Sequence, residues 1–221
     1  MSAVQAVVFD MDGVLLDTEE VWHEVRRDFV DGFGGRWTEK DQVAVMGANS
    51  WQWAAHIERA FSPPLGREEI VAAVVSMLKE RYSEHVPLIE GAVEAVAAMA
   101  EAFPLAVASS SPREVIEHAL DAAGLTSYFA GYVSSDEVRK GKPEPDVYLL
   151  ACSCLGVPPQ WAAAVEDSSN GIIAAARAGM KVIAIPNSVF PPTAESVEKA
   201  HVVLRSIGDL RPALVRRLAG T

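Results

Sequence analysis

The chain reads Val4-Gln5-Ala6-Val7-Val8-Phe9-Asp10-Met11-Asp12-Gly13 near its beginning, and this stretch decides the fold. Its apolar part predicts a buried parallel strand over residues 3–9. Asp10 and Asp12 follow at the carboxyl end of that strand, and Gly13 turns the chain. In open α/β sheets, ligands bind at that edge. An Asp-x-Asp there can supply a nucleophile from one carboxylate and proton transfer from the other.

Composition argues against several classes of function. The 221 residues carry a formal net charge of −11, which disfavours sequence-independent binding to nucleic-acid phosphates. No apolar run approaches the ~20 residues of a membrane span, and the beginning of the chain lacks the basic region of a signal peptide. Cys152 and Cys154 are predicted to be buried core thiols without a disulfide, which favours a reducing, cytoplasmic location. No sustained heptad seam is present, and we expect a monomer.

Short apolar runs alternate with helical patterns from about residue 89 onwards. This alternation predicts an α/β fold, a doubly wound parallel sheet with helices on both faces. The predicted strands after the first are Leu105–Ala108, Ala162–Val165, Val182–Ile185 and Val202–Leu204.

Residues 18–86 break the alternation, because their apolar residues follow helical stripes throughout. A helical segment of ~70 residues is too long for an ordinary crossover connection. We therefore predict two domains: a core formed by residues 1–16 and 88–221, and an all-helical cap formed by residues 17–87. A movable lid over Asp10 and a fixed decoration are both compatible with this pattern.

Polar residues also follow the predicted strands that begin at Leu105 and Ala162, and a lysine lies in the segment between these two strands. Ser109-Ser110-Ser111 can cradle phosphate oxygens with a hydroxyl and backbone N–H groups. Ser111 also begins a capping box, Ser111-Pro112-Arg113-Glu114, so we expect Ser111 to cap a helix while Ser109 and the Ser110 amide face the site. Lys142, held beside two prolines, can neutralise a carboxylate and a phosphate together.

Glu166 and Asp167 end the strand that begins at Ala162. Two carboxylates at a strand end suit Mg²⁺, which prefers one or two carboxylates together with water and substrate phosphate. Helix capping by Asp167 or Ser168 is the alternative role.

These four motifs, in this order, resemble those of the haloacid dehalogenase superfamily of phosphotransferases. Asp10-Met11-Asp12-Gly13-Val14 resembles its first motif, Ser109 its second, Lys142 its third and Glu166-Asp167 its fourth. The helical segment resembles the cap of the subclass that includes β-phosphoglucomutase and small sugar phosphatases. The resemblance implies a Rossmann-like core with this cap inserted.

The resemblance also implies a Mg²⁺-dependent phosphatase that acts through an aspartyl-phosphate. Asp10 is implied to attack phosphorus and Asp12 to protonate the leaving alcohol, a chemistry that depends on alignment and charge neutralisation. The remaining implied roles are phosphoryl binding by Ser109 and Lys142, substrate binding by Gly13, Ser110, Ser111 and Trp22, and metal binding by Asp10, Asp12, Asp167 and Glu166.

Residues of the helical segment bear on which phosphate ester is the substrate. The stretch Met46–Trp53 contains no arginine or lysine, although β-phosphoglucomutase uses an arginine in the comparable stretch to hold a second phosphate. Trp22 stands where the mutase has a histidine. Both departures favour a phosphatase for a small phosphorylated metabolite, such as a sugar phosphate. A phosphomutase is the alternative, and a non-catalytic phospho-ligand-binding protein is less favoured. The helical insert and the Asp-x-Asp argue against a phospho-receiver module. Trp22, Trp51 and Trp53 could stack on a sugar or pack in the cap.

Overall fold

The computed structural model describes residues 4–218, and within them a parallel sheet of six strands forms the centre of the molecule. The strand order is β3-β2-β1-β4-β5-β6, so the order reverses between β1 and β4. A crevice outside the carboxyl ends of the strands is expected at such a reversal. The strands are β1 (Ala6–Phe9), β2 (Leu105–Ser109), β3 (Gly131–Ser134), β4 (Ala162–Glu166), β5 (Lys181–Ala184) and β6 (Val202–Val203).

The predicted α/β class and parallel sheet are confirmed. The strands predicted after the first begin and end within one residue of their observed positions. The first was predicted over residues 3–9 and spans Ala6–Phe9; residue 3 lies outside the described residues. Strand β3 was missed, because Gly131–Ser134 is short and only half-buried at the edge of the sheet, and so lacks an apolar run.

Both faces of the central strands are buried under helices. Along β1, Val7 and Phe9 belong to one apolar cluster, whereas Ala6 and Val8 belong to another on the opposite face. This alternation follows from the two-residue period of a strand and explains why β1 reads as a continuous apolar run. The helices are α1 (Glu19–Asp31), α2 (Glu39–Val45), α3 (Ser50–Phe61), α4 (Arg67–Glu84), α5 (Ala92–Ala100), α6 (Arg113–Ala122), α7 (Asp146–Cys154), α8 (Ser169–Arg177), α9 (Ala194–Val197) and α10 (Pro212–Arg217).

Helices α1–α4 form the helical insert, residues 19–84, in agreement with the prediction of an all-helical segment after the first strand. Its apolar stripes are buried: Ile70, Val74 and Leu78 on α4 are inaccessible to solvent. Burial of such stripes is what stabilises amphipathic helices that are individually marginal.

Two adjacent connections join the helical insert to the sheet. The Asp17 backbone N–H donates to the Pro87 carbonyl at 2.8 Å, and the Ile89 N–H donates to the Leu15 carbonyl at 3.0 Å. These paired segments lie directly after the Asp-x-Asp turn, where an isolated bridge joins Asp12 and Leu16. Both connections therefore run beside the segment that carries Asp12.

The insert also contacts the sheet domain away from these connections. Ser50, the first residue of α3, donates from its backbone N–H and its hydroxyl to the Asp136 carboxylate. Lys79 on α4 pairs with Glu114 on α6 at 3.6 Å. The ion pair is exposed and contributes at most about 1 kcal/mol. The insert thus rests on the sheet domain at two separate places.

Two further expectations can be compared with the fold. Cys152 is buried as predicted, but Cys154 is exposed, because the two side chains lie about 200° apart around α7. No helix within residues 4–218 is long and apolar enough to cross a membrane.

Candidate active site

Two strand ends meet at a buried lysine, which is carried by a loop. Lys142, in the loop before α7, places its Nζ 2.9 Å from Asp10 Oδ1 and 2.6 Å from Glu166 Oε1. Asp10 follows β1 and Glu166 is the last residue of β4, its neighbour in the sheet. All three side chains are less than one tenth exposed. The sequence-predicted Asp10, Lys142 and Glu166 are therefore brought together.

The Glu166 carboxylate is fully occupied by donors from the protein. Its Oε1 accepts from Lys142 Nζ and from the Tyr148 hydroxyl, both at 2.6 Å. Its Oε2 accepts from the Asp167 N–H at 3.1 Å and from the N–H and hydroxyl of Ser168. Since both oxygens already have partners, Glu166 holds Lys142 in position against Asp10.

Burial and neighbouring charges shift the pKa values of several groups in this cluster. Burial, followed by repulsion from Glu166, raises the pKa of Asp10 to about 8 despite the opposing effect of Lys142. The pKa of Asp167 is raised by burial and then by Glu166 and Asp10. Burial would lower the pKa of Lys142, but attraction to Asp10 and Glu166 raises it overall. The site therefore holds more negative charge than its lysine balances.

The carboxylates suit a divalent cation. Asp10, Glu166 and Asp167 each offer an oxygen, and these oxygens lie within 4.8 Å of one another. Asp167 Oδ1 is buried without a hydrogen-bond partner among the described residues, whereas Oδ2 accepts from Asn187 Nδ2 at 3.4 Å. A buried carboxylate oxygen is costly when unpaired, and a cation would satisfy it. Asp10 and Asp167 thus fit as ligands of Mg²⁺.

Gly13 has a steric reason to be glycine. Its φ is +81°, a region that disfavours other residues, and a Cβ there would overlap the Asp167 carboxylate. The chain of the Asp-x-Asp turn can approach the β4 end only because this position has no side chain. Gly13 shapes the acidic cluster, and its predicted contact with substrate stays a prediction.

Asp12 is held by donors from two parts of the molecule. Its Oδ1 accepts from the Thr18 hydroxyl at 2.6 Å and from Trp22 Nε1 at 3.4 Å. Its Oδ2 accepts from Ser109 Oγ at 3.0 Å and from Ser111 Oγ at 2.8 Å. Charge-assisted bonds of this kind fix the orientation of a carboxylate. Sequence reasoning assigned neither Thr18 nor Ser111 to Asp12.

The three serines differ from their predicted arrangement. Helix α6 begins at Arg113 with Pro112 at its N-cap position and without a side-chain cap, so the expectation that Ser111 caps this helix is wrong. The Asp12 carboxylate competes as a charged acceptor and takes the Ser111 hydroxyl instead. Ser109 is completely buried, donates to Asp12 and accepts from the Ser111 N–H at 2.9 Å. Ser110 and Ser111 line the adjacent cavity.

A cavity of about 470 Å³ lies above this edge of the sheet. Its floor contains Asp10, Asp12 and Lys142, and its walls come from the helical insert and from residues 187–192 after β5. The volume falls within the usual range for small-molecule sites. A pocket therefore lies at the edge of the sheet where the sequence predicts the site.

One of the three candidate tryptophans reaches the cavity. Trp22 lines it and is 7 % exposed, with its ring packed edge-on against Trp53 at 6.2 Å between centroids. Trp53 is a core residue, and Trp51 is exposed outside the cavity. Of the two roles left open for these tryptophans, Trp53 packs in the core, and Trp51 does not line the cavity, because opposite faces of α3 point into the core and into solvent.

Sequence reasoning missed several contributors to the cavity wall. Glu19 and Arg26 on α1 both line it, and Gln42 on α2 lies between them: its Nε2 donates to Glu19 at 3.4 Å and its Oε1 accepts from Arg26 Nη1 at 3.3 Å. Residues 187–192 form the opposite wall. Arg26 lies four residues after Trp22 on the same helix, and this spacing was the available signal.

Comparison with known proteins agrees with the geometry of this site. A family model described as haloacid dehalogenase-like hydrolase matches residues 7–185. The chain is 34% identical over 182 residues to a phosphorylated carbohydrates phosphatase of Thermotoga maritima, covering 81% of this chain and 84% of that protein. It is 31% identical to hexitol phosphatase B of Escherichia coli O157:H7, covering 94% of each chain.

A solved structure extends the likeness to three dimensions. CbbY from Rhodobacter sphaeroides, in complex with phosphate, superimposes with a TM-score of 0.84 at 28% identity and covers 94% of this chain and 96% of that one. These matches confirm the family resemblance, the Rossmann-like fold and the enzyme class, a phosphatase, that were predicted from the four motifs.

Proposed function

Because the chain belongs to the haloacid dehalogenase-like hydrolase family, we propose that this phosphatase hydrolyses a small phosphate monoester, a sugar phosphate, through an aspartyl-phosphate on Asp10. The observation that carries the proposal is the buried Lys142, which touches Asp10 at 2.9 Å and is held there by Glu166. A lysine so placed can neutralise an attacking carboxylate and an anionic ester together. The relatives named for phosphorylated carbohydrates and hexitols support a sugar phosphate as the substrate class.

The proposed reaction has two steps at phosphorus. Asp10 Oδ attacks the phosphorus atom, and the bond to the ester oxygen breaks while Asp12 gives that oxygen a proton. Asp12 then takes a proton from a water molecule, which attacks the aspartyl-phosphate and releases inorganic phosphate with Asp10 restored. The four donors around Asp12 hold its carboxylate in one orientation for both proton transfers.

Further residues would orient the phosphoryl group. Ser110 and Ser111 line the cavity at the end of β2, beside Asp12. Mg²⁺ is the proposed cofactor, with Asp10, Asp167 and a backbone oxygen of Asp12 as its ligands and Glu166 behind them. When bound it would neutralise negative charge on the transferred phosphoryl group. Direct ligation by Glu166 is the less favourable arrangement, since its oxygens already accept hydrogen bonds.

The test is release of inorganic phosphate from a panel of sugar and short-chain phosphate esters, with and without Mg²⁺. The native protein is compared with Asp10→Asn, which is nearly isosteric, and with Asp146→Asn, a carboxamide change at a carboxylate outside the cavity. We expect release that depends on Mg²⁺, is abolished in Asp10→Asn and is unchanged in Asp146→Asn. Equal turnover in Asp10→Asn would contradict the mechanism.

Other outcomes of the same panel address the alternatives. Isomerised sugar phosphate without release of inorganic phosphate would indicate a phosphomutase, and ligand binding without either product would indicate a binding protein. The cytoplasmic location, the monomeric state and the division into a core and a cap at residues 17–87 stay predictions. Size-exclusion chromatography with light scattering tests the oligomeric state.

A further inference from the structure

Arg26 is a buried cation in the wall of the cavity. It lies on α1 with 5 % of its surface exposed, and its guanidinium carbon is 4.5 Å from the centroid of the Trp22 ring and 5.8 Å from that of Trp53. The two rings restrict the guanidinium to one position, which reduces the entropy lost when it binds a ligand. Arg26 and Lys142 are the two basic residues among those described around the cavity.

The charge of Arg26 is incompletely compensated by the protein. Among residues 4–218, no carboxylate oxygen lies within salt-bridge distance of it. Its Nη1 donates to the neutral Gln42 side chain, and its Nε is buried without a hydrogen-bond partner. Burial lowers the pKa of Arg26 to about 10 against the effect of Glu19 and Asp12, so the group stays charged at neutral pH. Buried charges are ordinarily paired, and this one lacks its counterpart.

The nearby carboxylates do not supply that counterpart. Asp12 is taken by its four donors, and Glu19 accepts from Gln42 Nε2. Burial, followed by repulsion from Asp12, raises the pKa of Glu19, although the positive charge of Arg26 opposes this shift. Arg26 lines the cavity, from which an anion can reach the guanidinium.

We propose that Arg26 determines substrate specificity by binding a second anionic group, a carboxylate or a second phosphate, at the end of the substrate remote from the transferred phosphate. This rests on the proposed function, and it adds a substrate class to it. Lys142 would then balance the reacting end and Arg26 the remote end of one ligand in the same cavity. Guanidinium is well suited to this task, because its planar donors match carboxylate and phosphate oxygens.

The experiment compares three esters that differ at one carbon. The probes are glucitol monophosphate, gluconic acid monophosphate and glucitol bisphosphate, with the common phosphate on the same terminal carbon. They carry a hydroxyl, a carboxylate or a second phosphate at the other end. We expect the native protein to show a kcat/KM that is about 10- to 100-fold higher for at least one anionic ester than for the alcohol, the range of a charge-assisted hydrogen bond. The two anionic esters distinguish a carboxylate from a second phosphate.

Variants identify Arg26 as the source of the preference. In Arg26→Gln, the kcat/KM for the anionic esters divided by that for the neutral ester should fall close to one. Arg26→Lys should retain part of the native preference. Arg67→Gln, at an exposed arginine on α4 that pairs with Glu58, is the matched control and should keep the native ratio. Thermal unfolding of each variant shows whether it is folded, and the native preference can be measured without any variant.

Two results would overturn the inference while leaving the proposed function intact. One is a native protein that releases phosphate from the neutral ester as fast as from both anionic esters. The other is an Arg26→Gln variant that loses activity equally toward all three, which would make Arg26 only a packing partner of Trp22. Absence of Asp10-dependent phosphate release from every ester would instead overturn the proposed function itself.

Discussion

Replacing Gly171 by alanine tests whether Glu166 is held where the site requires it. Gly171 lies in the first turn of α8, and a Cβ there would overlap the Glu166 carboxylate. Helix propensity alone favours alanine over glycine by up to about 1 kcal/mol. Steric overlap should therefore make Gly171→Ala less stable than the native protein, whereas helix propensity alone should make it more stable, so the sign of the change in stability distinguishes the two.

The size of the effect follows from what must move. Overpacking a buried site costs about 1–3 kcal/mol, and displacing Glu166 also weakens its buried contact with Lys142, a pair whose loss costs about 3–5 kcal/mol. After subtracting the gain in helix propensity, we expect Gly171→Ala to lower the free energy of unfolding by about 2–4 kcal/mol. For a protein of this size that is a fall in Tm of about 4–16 °C.

Two controls connect the loss to the Glu166 carboxylate. Gly131→Ala, where a new Cβ would come no closer than 3.8 Å to Cys154, should leave Tm nearly unchanged. In a Glu166→Ala background, Gly171→Ala should cost nothing, since the overlapping group is gone. The reasoning is refuted if Gly171→Ala unfolds at or above the native Tm, or if its cost is the same with and without Glu166.

Three further predictions concern the surroundings of the reacting groups. Thr18→Val removes the 2.6 Å hydrogen bond to Asp12 and should lower kcat about tenfold with little change in KM. Thr18→Ser keeps the hydroxyl and should keep the native kcat. Equal losses of kcat in the two variants would contradict the role of this hydroxyl. Trp22→Phe, which deletes the Nε1–H near Asp12, should lower kcat about threefold in a steady-state phosphate assay, while Trp51→Phe should have no effect. Lys142→Gln should lower the urea-derived free energy of unfolding by about 3–5 kcal/mol, and a native value would show that the buried carboxylates do not need this cation.

The sequence predicts the sheet and the acidic edge because both depend on local patterns. A strand buried on both faces reads as a short apolar run, and the functional side chains follow such runs directly at Asp10, Ser109 and Glu166. The carboxyl ends of parallel strands meet at one edge, so the amino-acid pattern alone places residues together that lie far apart in the chain. Lys142 could be added because the prolines beside it mark an ordered loop.

What could not be predicted depends on tertiary competition. Ser111 has the sequence of an N-cap, but a charged acceptor from another strand end takes its hydroxyl. Strand β3 lies at the edge of the sheet, where partial burial removes the apolar pattern. Arg26 looks like a surface charge in an amphipathic helix until the tryptophans of α1 and α3 are seen to enclose it. Sequence periodicity cannot indicate which polar residue of a helix faces a cavity.

The donors to Asp12 limit how the two parts of this molecule can be exchanged with those of relatives. Thr18 belongs to the first connection and Trp22 to the helical insert, whereas Ser109 and Ser111 belong to the sheet domain. A chimera that exchanges residues 19–84 would keep three of these donors and import whatever stands in place of Trp22. An exchange of this segment is therefore constrained: Asp12, the proposed proton-transfer residue, needs a compatible donor from the insert, and a hybrid should be chosen by the residue that follows Asp12 by ten positions.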